Sequence, residues 1–80
     1  MKMYISENIE NVEALNNKIH YSLFVSKERY LANRYSPIFF NEETKQYGIV
    51  IDLNEQIKGI LTEEEKKQIT KVNIEEWSYI

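Results

Sequence analysis

The residue types that most often carry catalysis are sparse in this 80-residue chain. It has no cysteine, and its single histidine, His20, has no neighbouring motif that would make it the base of a serine–histidine pair. The two glycines, Gly48 and Gly59, stand in separate segments, so the sequence has no glycine-rich phosphate loop. We therefore expect a protein that is not an enzyme.

Metal and cofactor binding are also poorly supported by the sequence. One imidazole does not make a zinc site, which takes three or four protein ligands. Asp52 has no second carboxylate at a fixed spacing, and neither Glu42-Glu43 nor the run Glu63 to Glu65 has the central glycine and alternating oxygens of a calcium loop. We expect no metal and no cofactor, with His20 half-exposed on a helix.

One segment combines cations with aromatic rings at helical spacing. Lys27, Tyr30 and Arg34 share one face of a helix, flanked by Leu31 and Tyr35, and the same segment contains Arg29. Such a face suits an acidic partner, a phosphate or an unstacked base, because arginine offers a planar fork and tyrosine a stacking surface. Alternatively, the tyrosines belong to the core and the cations pair with the protein's own glutamates.

A second candidate contact lies in the acidic and aromatic segment 74–80, which contains the only tryptophan. If Trp77 and Tyr79 are exposed, they form an interface anchor of the kind that dominates binding energy. If they are buried, the segment is an edge strand that closes a sheet. A domain this small needs its large side chains in the core, which favours the structural role.

The elements that position these residues begin with an amphipathic helix. Ser6 is a suitable N-cap, and apolar residues then recur at spacings of three and four. This stripe consists of Ile9, Val12, Leu15, Ile19 and Leu23. It predicts a helix from Glu7 to about Phe24. Either a second helix follows from Lys27 to Tyr35, or the first runs through, and Pro37 ends the helical region.

The pattern changes to sheet after Pro37. Two β-rich runs, 38–40 and 47–53, flank a polar loop and predict an antiparallel hairpin. We expect Ile49 and Ile51 of this hairpin to cover the apolar stripe of the helix. Residues 54–61 suit either a short helix or a connecting turn.

The C-terminal third begins with a capping box. Thr62 is followed three residues later by Glu65, which predicts a short helix from Glu63 to Ile69. Lys71 to Ile80 then has the composition of a last strand. The predicted fold is α+β, a single domain over residues 1–80. In it a long N-terminal helix, or two helices, packs on a small antiparallel sheet made of the hairpin and the C-terminal strand, with a short helix before that strand.

Composition limits the class of partner. The net charge of −3 is mildly acidic, which weakens a general affinity for nucleic acid. No apolar run approaches the ~20 residues of a membrane span, and the lack of cysteine suits a reducing compartment. We expect a cytoplasmic protein without membrane contact. Its abundance of Ile, Asn, Lys and Tyr is typical of AT-rich codons and indicates a low-GC bacterium, or a phage or mobile element within one.

These observations favour a small non-enzymatic protein-binding module, an inhibitor or regulator of a host protein. The alternative is a nucleic-acid-linked regulator that uses Lys27, Arg29 and Arg34, which requires a one-sided positive potential. A homodimer is a further alternative for the partner. The predicted partner-binding residues are Lys27, Arg29, Tyr30, Arg34, Tyr35, Trp77 and Tyr79.

Overall fold

A computed structural model describes residues 1–23 and 36–80 of the chain. Within them, five strands form one antiparallel sheet in the spatial order β4-β1-β3-β2-β5. The strands are β1 (Lys2–Ser6), β2 (Ile38–Asn41), β3 (Gln46–Val50), β4 (Ile69–Lys71) and β5 (Ser78–Tyr79). The helices are α1 (Ile9–Leu23), α2 (Glu55–Ile60) and α3 (Glu63–Lys67). The predicted α+β class, with helices packed on an antiparallel sheet, is confirmed.

Strand β1 is the main difference from the predicted architecture, because the sequence pattern gave no strand before the first helix. β1 lies inside the sheet, where Tyr4 pairs with Ile49 of β3 on one side and Ile69 of β4 on the other. Met3, Tyr4 and Ile5 are all buried, so the strand lacks the alternation of apolar and polar residues that identifies a half-exposed strand.

Helix α1 begins two residues later than its predicted start. Ser6 still belongs to β1, and its hydroxyl accepts a hydrogen bond from the Asn8 amide at 3.1 Å. Asn8 takes the capping position, since its Oδ1 accepts from the Glu10 amide at 2.9 Å. The predicted Ser6 N-cap is therefore wrong. The predicted second helix, Lys27 to Tyr35, lies outside the described residues.

The first core cluster lies between α1 and the sheet. Val12 and Leu15 of the predicted stripe are buried against Ile49 and Ile51, as expected, while Ile9 and Ile19 are partly buried. Tyr4 also belongs to this cluster, together with Ile57 of α2 and Leu61. The first cluster therefore joins α1, α2 and one face of the sheet.

The second core cluster lies on the opposite face of the sheet. Because successive residues of a strand point to opposite faces, Met3 and Ile5 lie here while Tyr4 faces α1. Phe39 and Trp77 complete the buried set. The Trp77 ring lies over Gly48 of β3, so close that a Cβ at Gly48 would be 3.4 Å from Cζ3. Both faces of the sheet are therefore covered.

The hairpin of β2 and β3 is confirmed. Phe39 pairs with Gly48 and Asn41 with Gln46. Asn41 is buried at the turn, where its Oδ1 accepts from the backbone amides of Glu43 at 2.9 Å and Thr44 at 3.2 Å. This side chain shapes the polar loop, as asparagine commonly does in turns.

The capping box before α3 is present, with both of its reciprocal hydrogen bonds. α3 ends at Lys67, two residues before the predicted end, and residues 54–61 resolve as the helix α2 capped by Asn54. None of the helices in the described ranges is both long and apolar enough to cross a bilayer.

The predicted last strand, Lys71 to Ile80, is wrong as a single element. Asn73 caps a 3-10 turn, Ile74–Glu76, by accepting from the Glu75 amide at 3.2 Å. The strand is thereby divided into β4, which pairs with β1, and β5, which pairs with β2. Residues 72–77 pass between these two edges of the sheet and supply Trp77 to its second face.

Candidate partner-binding sites

The predicted cationic and aromatic face lies outside the described residues. All five of its members fall between residues 24 and 35, namely Lys27, Arg29, Tyr30, Arg34 and Tyr35. Their joint role in binding stays a prediction.

The two aromatic residues of the C-terminus are separated by the fold. Trp77 is only 8% exposed and belongs to the second core cluster, which favours its structural role. Tyr79 is 72% exposed, and its ring centroid lies 4.6 Å from that of Phe39. Ile80 is 68% exposed and donates its amide to the Ile38 carbonyl. Tyr79 and Ile80 are thus two exposed apolar residues at the outer edge of the sheet, and we call the pair the C-terminal strip. Because the two residues are consecutive in an extended segment, their side chains point to opposite sides of it.

Carboxylates lie beside Ser78, the residue before the C-terminal strip. A shallow depression of about 240 Å³ next to Ser78 is lined by the hairpin turn and the 3-10 turn. Its lining residues are Asn41, Glu42, Glu43, Glu76 and Ser78. Negative charge therefore lies on the same edge of the sheet as exposed apolar residues, a combination that is common at interfaces.

A larger depression, of about 330 Å³, lies between β1, the start of α1 and α3. We call it the Tyr4 depression. Its lining side chains are all polar: Tyr4, Ser6, Asn11, Glu64, Glu65 and Gln68. Ser6 and Asn11 are linked, since Asn11 Nδ2 donates to Ser6 Oγ at 3.2 Å.

Glu65 is the electrostatic centre of the Tyr4 depression. Its Oε1 accepts from Lys18 Nζ at 2.7 Å and from the Thr62 amide at 2.8 Å. Burial by itself raises the pKa of Glu65, but the hydrogen bonds from Lys18 and Thr62 and the positive charge of Lys18 outweigh burial, so the pKa is lowered. Glu65 is therefore ionised at neutral pH.

The pKa of Tyr4 is shifted in the opposite direction to that of Glu65. Burial raises the pKa of its phenol, and the negative charge of Glu65 raises it further. The phenol therefore remains protonated at neutral pH, as a neutral group that can both donate and accept a hydrogen bond.

Sequence reasoning missed the Tyr4 depression, although it identified one of its components. The capping box located Glu65 at the start of a helix, but Lys18, its ion-pair partner, lies on a helix distant in the sequence. Tyr4 and Ser6 share one face of β1. A prediction of β1 as a strand would have placed Tyr4 and Ser6 next to each other.

The remaining candidates for chemistry are dispersed. His20, in α1, is only 5% exposed, so the expected half-exposed histidine is wrong. Asp52 is exposed after β3, and its carbonyl oxygen accepts from the Asn54 amide. Within residues 1–23 and 36–80, no three carboxylate or histidine side chains come together as a metal site would require.

Comparison of the chain with protein-family models, with curated proteins and with solved structures gives no match.

Proposed function

We propose that this chain is a small protein-binding module without catalytic activity, an inhibitor or regulator of a host protein encoded by a phage or mobile element of a low-GC bacterium. The observation that carries the proposal is the C-terminal strip. Tyr79, in the edge strand β5, and Ile80, which follows it, are both large, apolar and mostly exposed.

The contrast with the rest of the chain supports this role. Most other large apolar side chains of the described residues are packed in the two core clusters. Tyrosine is enriched in binding hot spots because it provides a large contact area and a polar tip. The carboxylates next to Ser78 would surround the contact and favour a partner with basic residues at its rim.

A capture experiment tests the proposal. Immobilised protein is incubated with lysate of a low-GC bacterium, and captured proteins are identified by mass spectrometry. Replacement of Tyr79 and Ile80 by serine should abolish capture of the specific partner. The matched control replaces Thr70 and Lys71, which are exposed on the opposite edge strand, by serine. Capture that is unchanged by the first pair would contradict the role of the C-terminal strip.

The predicted cationic face is tested in the same assay with Lys27→Ala combined with Arg34→Ala. Weaker capture would assign this face to the partner contact, since a desolvated arginine is a common hot spot. The salt dependence of binding distinguishes a protein partner from a nucleic-acid partner. Affinity for nucleic acid falls steeply between about 50 and 200 mM salt, whereas a largely apolar protein interface changes little.

A further inference from the structure

Tyr4 has a buried ring and a hydroxyl that opens into the Tyr4 depression. The residue is 7% exposed, and its ring belongs to the first core cluster. Its side chain nevertheless lines the Tyr4 depression, and its hydroxyl has no hydrogen-bond partner in the described part of the chain. The hydroxyl is not one of the fully buried, unpaired polar atoms of the described residues, so it is accessible from the depression. The hydroxyl is therefore placed to bond a group that enters the depression.

The other side chains of the depression define which group would enter. Each of the six lining side chains carries an oxygen, and none of them is cationic. The amide nitrogen of Asn11 already donates to Ser6, so the oxygen of Asn11 is the group left for a ligand. Lys18 uses Oε1 of Glu65, whereas Glu64 has no ion-pair partner among the described residues. A site rich in acceptors and carrying net negative charge complements a cationic hydrogen-bond donor.

The same geometry favours an organic cation over a metal ion. Calcium takes six to eight oxygen ligands, commonly from several carboxylates. The Tyr4 depression offers two carboxylates, one of which is already bonded to Lys18, and a phenol that stays protonated. Guanidinium groups are more weakly hydrated and spread five donors over a plane, which suits scattered neutral and charged oxygens.

The size of the depression limits the ligand further. At about 330 Å³, it is at the lower end of the 300–1,000 Å³ range that is typical of small-molecule sites. It is open at one side, so a side chain carried by another protein can enter it.

We propose that the Tyr4 depression binds the cationic end of an arginine or lysine side chain presented by the protein partner. In this arrangement the carboxylates of Glu64 and Glu65 neutralise the cation, and the hydroxyl of Tyr4 accepts one of its hydrogen bonds. The assignment rests on the proposed function for the identity of the partner, but the site itself can be tested without any partner.

The test is a titration of isotope-labelled protein with N-acetyl-arginine amide, followed by NMR at the side-chain amides of Asn11 and Gln68. The matched probe is N-acetyl-citrulline amide, which has nearly the same shape but no charge. We expect saturable shifts of both amides with the arginine probe and at least tenfold weaker binding of the citrulline probe, since hydrogen bonds to charged groups are about twice as strong. Equal binding of the two probes, or no shift at these amides, would overturn the proposal.

Two variants assign the residues. Tyr4→Phe should weaken binding of the arginine probe roughly fivefold while the protein stays folded, because only an unpaired hydroxyl is lost. Glu64→Gln should weaken it at least as much. The matched control is Glu63→Gln, one position earlier in α3, where the carboxylate contacts Lys66 at 3.2 Å and does not line the depression. Loss of binding in Glu63→Gln equal to that in Glu64→Gln would indicate general electrostatic attraction and overturn the assignment.

A third arm identifies the source of the cation. Spermidine carries the same type of charge but is a free metabolite, and tighter binding of spermidine than of the arginine probe would overturn assignment to a protein side chain. Capture from lysate by Tyr4→Phe separates this inference from the proposed function. If Tyr4→Phe captures the partner as well as wild type does, the Tyr4 depression is not part of the contact, although the protein-binding role is unaffected. If the arginine probe binds wild type but no protein is captured, the site stands and the protein-binding role fails.

Discussion

At the scale of single residues, Gly48 marks the closest approach between the second core cluster and the sheet. A Cβ at this position would lie 3.1 Å from Met3 Sδ, 3.2 Å from the Tyr4 carbonyl oxygen and 3.4 Å from Trp77 Cζ3. The Tyr4 carbonyl belongs to β1, so it cannot move away without disturbing strand pairing. We expect Gly48→Ala to lower the free energy of unfolding by about 1–3 kcal/mol, measured by urea denaturation.

Gly59 provides the matched control for this substitution. It lies in α2, and nothing is within 4 Å of a Cβ built on it. Gly59→Ala should raise stability by about 0.4–1 kcal/mol, because alanine restricts the unfolded chain and suits a helix. If both alanine substitutions changed stability in the same direction, crowding at Gly48 would not be the cause.

Glu65 gives the stability of the protein a predictable dependence on pH. Its pKa is lower in the folded protein than its ordinary value, so folding favours the ionised form. Its contribution is therefore complete above the ordinary pKa of about 4.3 and is lost as the pH falls through the lower, folded-state pKa. Glu65→Gln should lower the free energy of unfolding by up to about 1 kcal/mol at pH 7, from the loss of the ion pair with Lys18, since a glutamine oxygen can still accept from the Thr62 amide.

The measurement is the free energy of unfolding of wild type and Glu65→Gln between pH 7 and pH 3. The difference between the two proteins should shrink as the pH falls below about 4, where the wild-type carboxyl becomes protonated. Lys18→Met serves as the partner control, since it removes the 2.7 Å ion pair but leaves the capping box. A constant difference across this pH range would show that ionisation of Glu65 does not stabilise the fold.

At the scale of elements, Asn16 joins α1 to the start of β2. It is buried in the middle of the helix, where its Nδ2 donates to the Ser36 carbonyl at 2.9 Å and its Oδ1 accepts from the Ser36 amide at 3.2 Å. Two hydrogen bonds to one backbone residue fix the position at which the chain enters β2. Asn16→Ala should lower the free energy of unfolding by about 1–3 kcal/mol. Asn17→Ala, an exposed neighbour in the same helix, should change it by no more than about 0.5 kcal/mol.

The elements that were predictable from the sequence are those with a strong local pattern. α1 has an apolar stripe, the hairpin has two β-rich runs around a polar loop, and α3 has a capping box. β4 and β5 contain three and two residues, which is too short for a reliable period. Their pairing partners are distant in the sequence, so the sheet order depends on long-range packing.

The candidate sites, like β4 and β5, depend on long-range packing and not on a local sequence pattern. Exposure of Tyr79 and burial of Trp77 depend on the 3-10 turn at Ile74–Glu76, which turns the tryptophan onto the sheet. The Tyr4 depression combines β1, α1 and α3 and has no local signature. The residue types indicated that aromatic and charged side chains would contact a partner. Only the tertiary structure shows which of these side chains lie close to one another.

At the scale of the whole molecule, two core clusters share one sheet. β1 contributes Tyr4 to the first cluster and Met3 and Ile5 to the second, and β2 and β3 are divided between them in the same way. Loss of either cluster would expose one face of the central strands. We therefore expect the two clusters to unfold together in a single cooperative transition.

The only tryptophan makes this cooperativity measurable. Fluorescence of Trp77 reports on the second cluster, whereas far-UV circular dichroism follows the helices that cover the first. The two signals should give the same urea midpoint in wild type. Leu15→Ala, a substitution in the first cluster, should lower the free energy of unfolding by about 2–5 kcal/mol and shift the Trp77 midpoint equally, although Leu15 lies on the other side of the sheet. A Trp77 transition that stayed at its wild-type midpoint, or preceded the loss of helix, would show that the C-terminal segment detaches from the sheet independently.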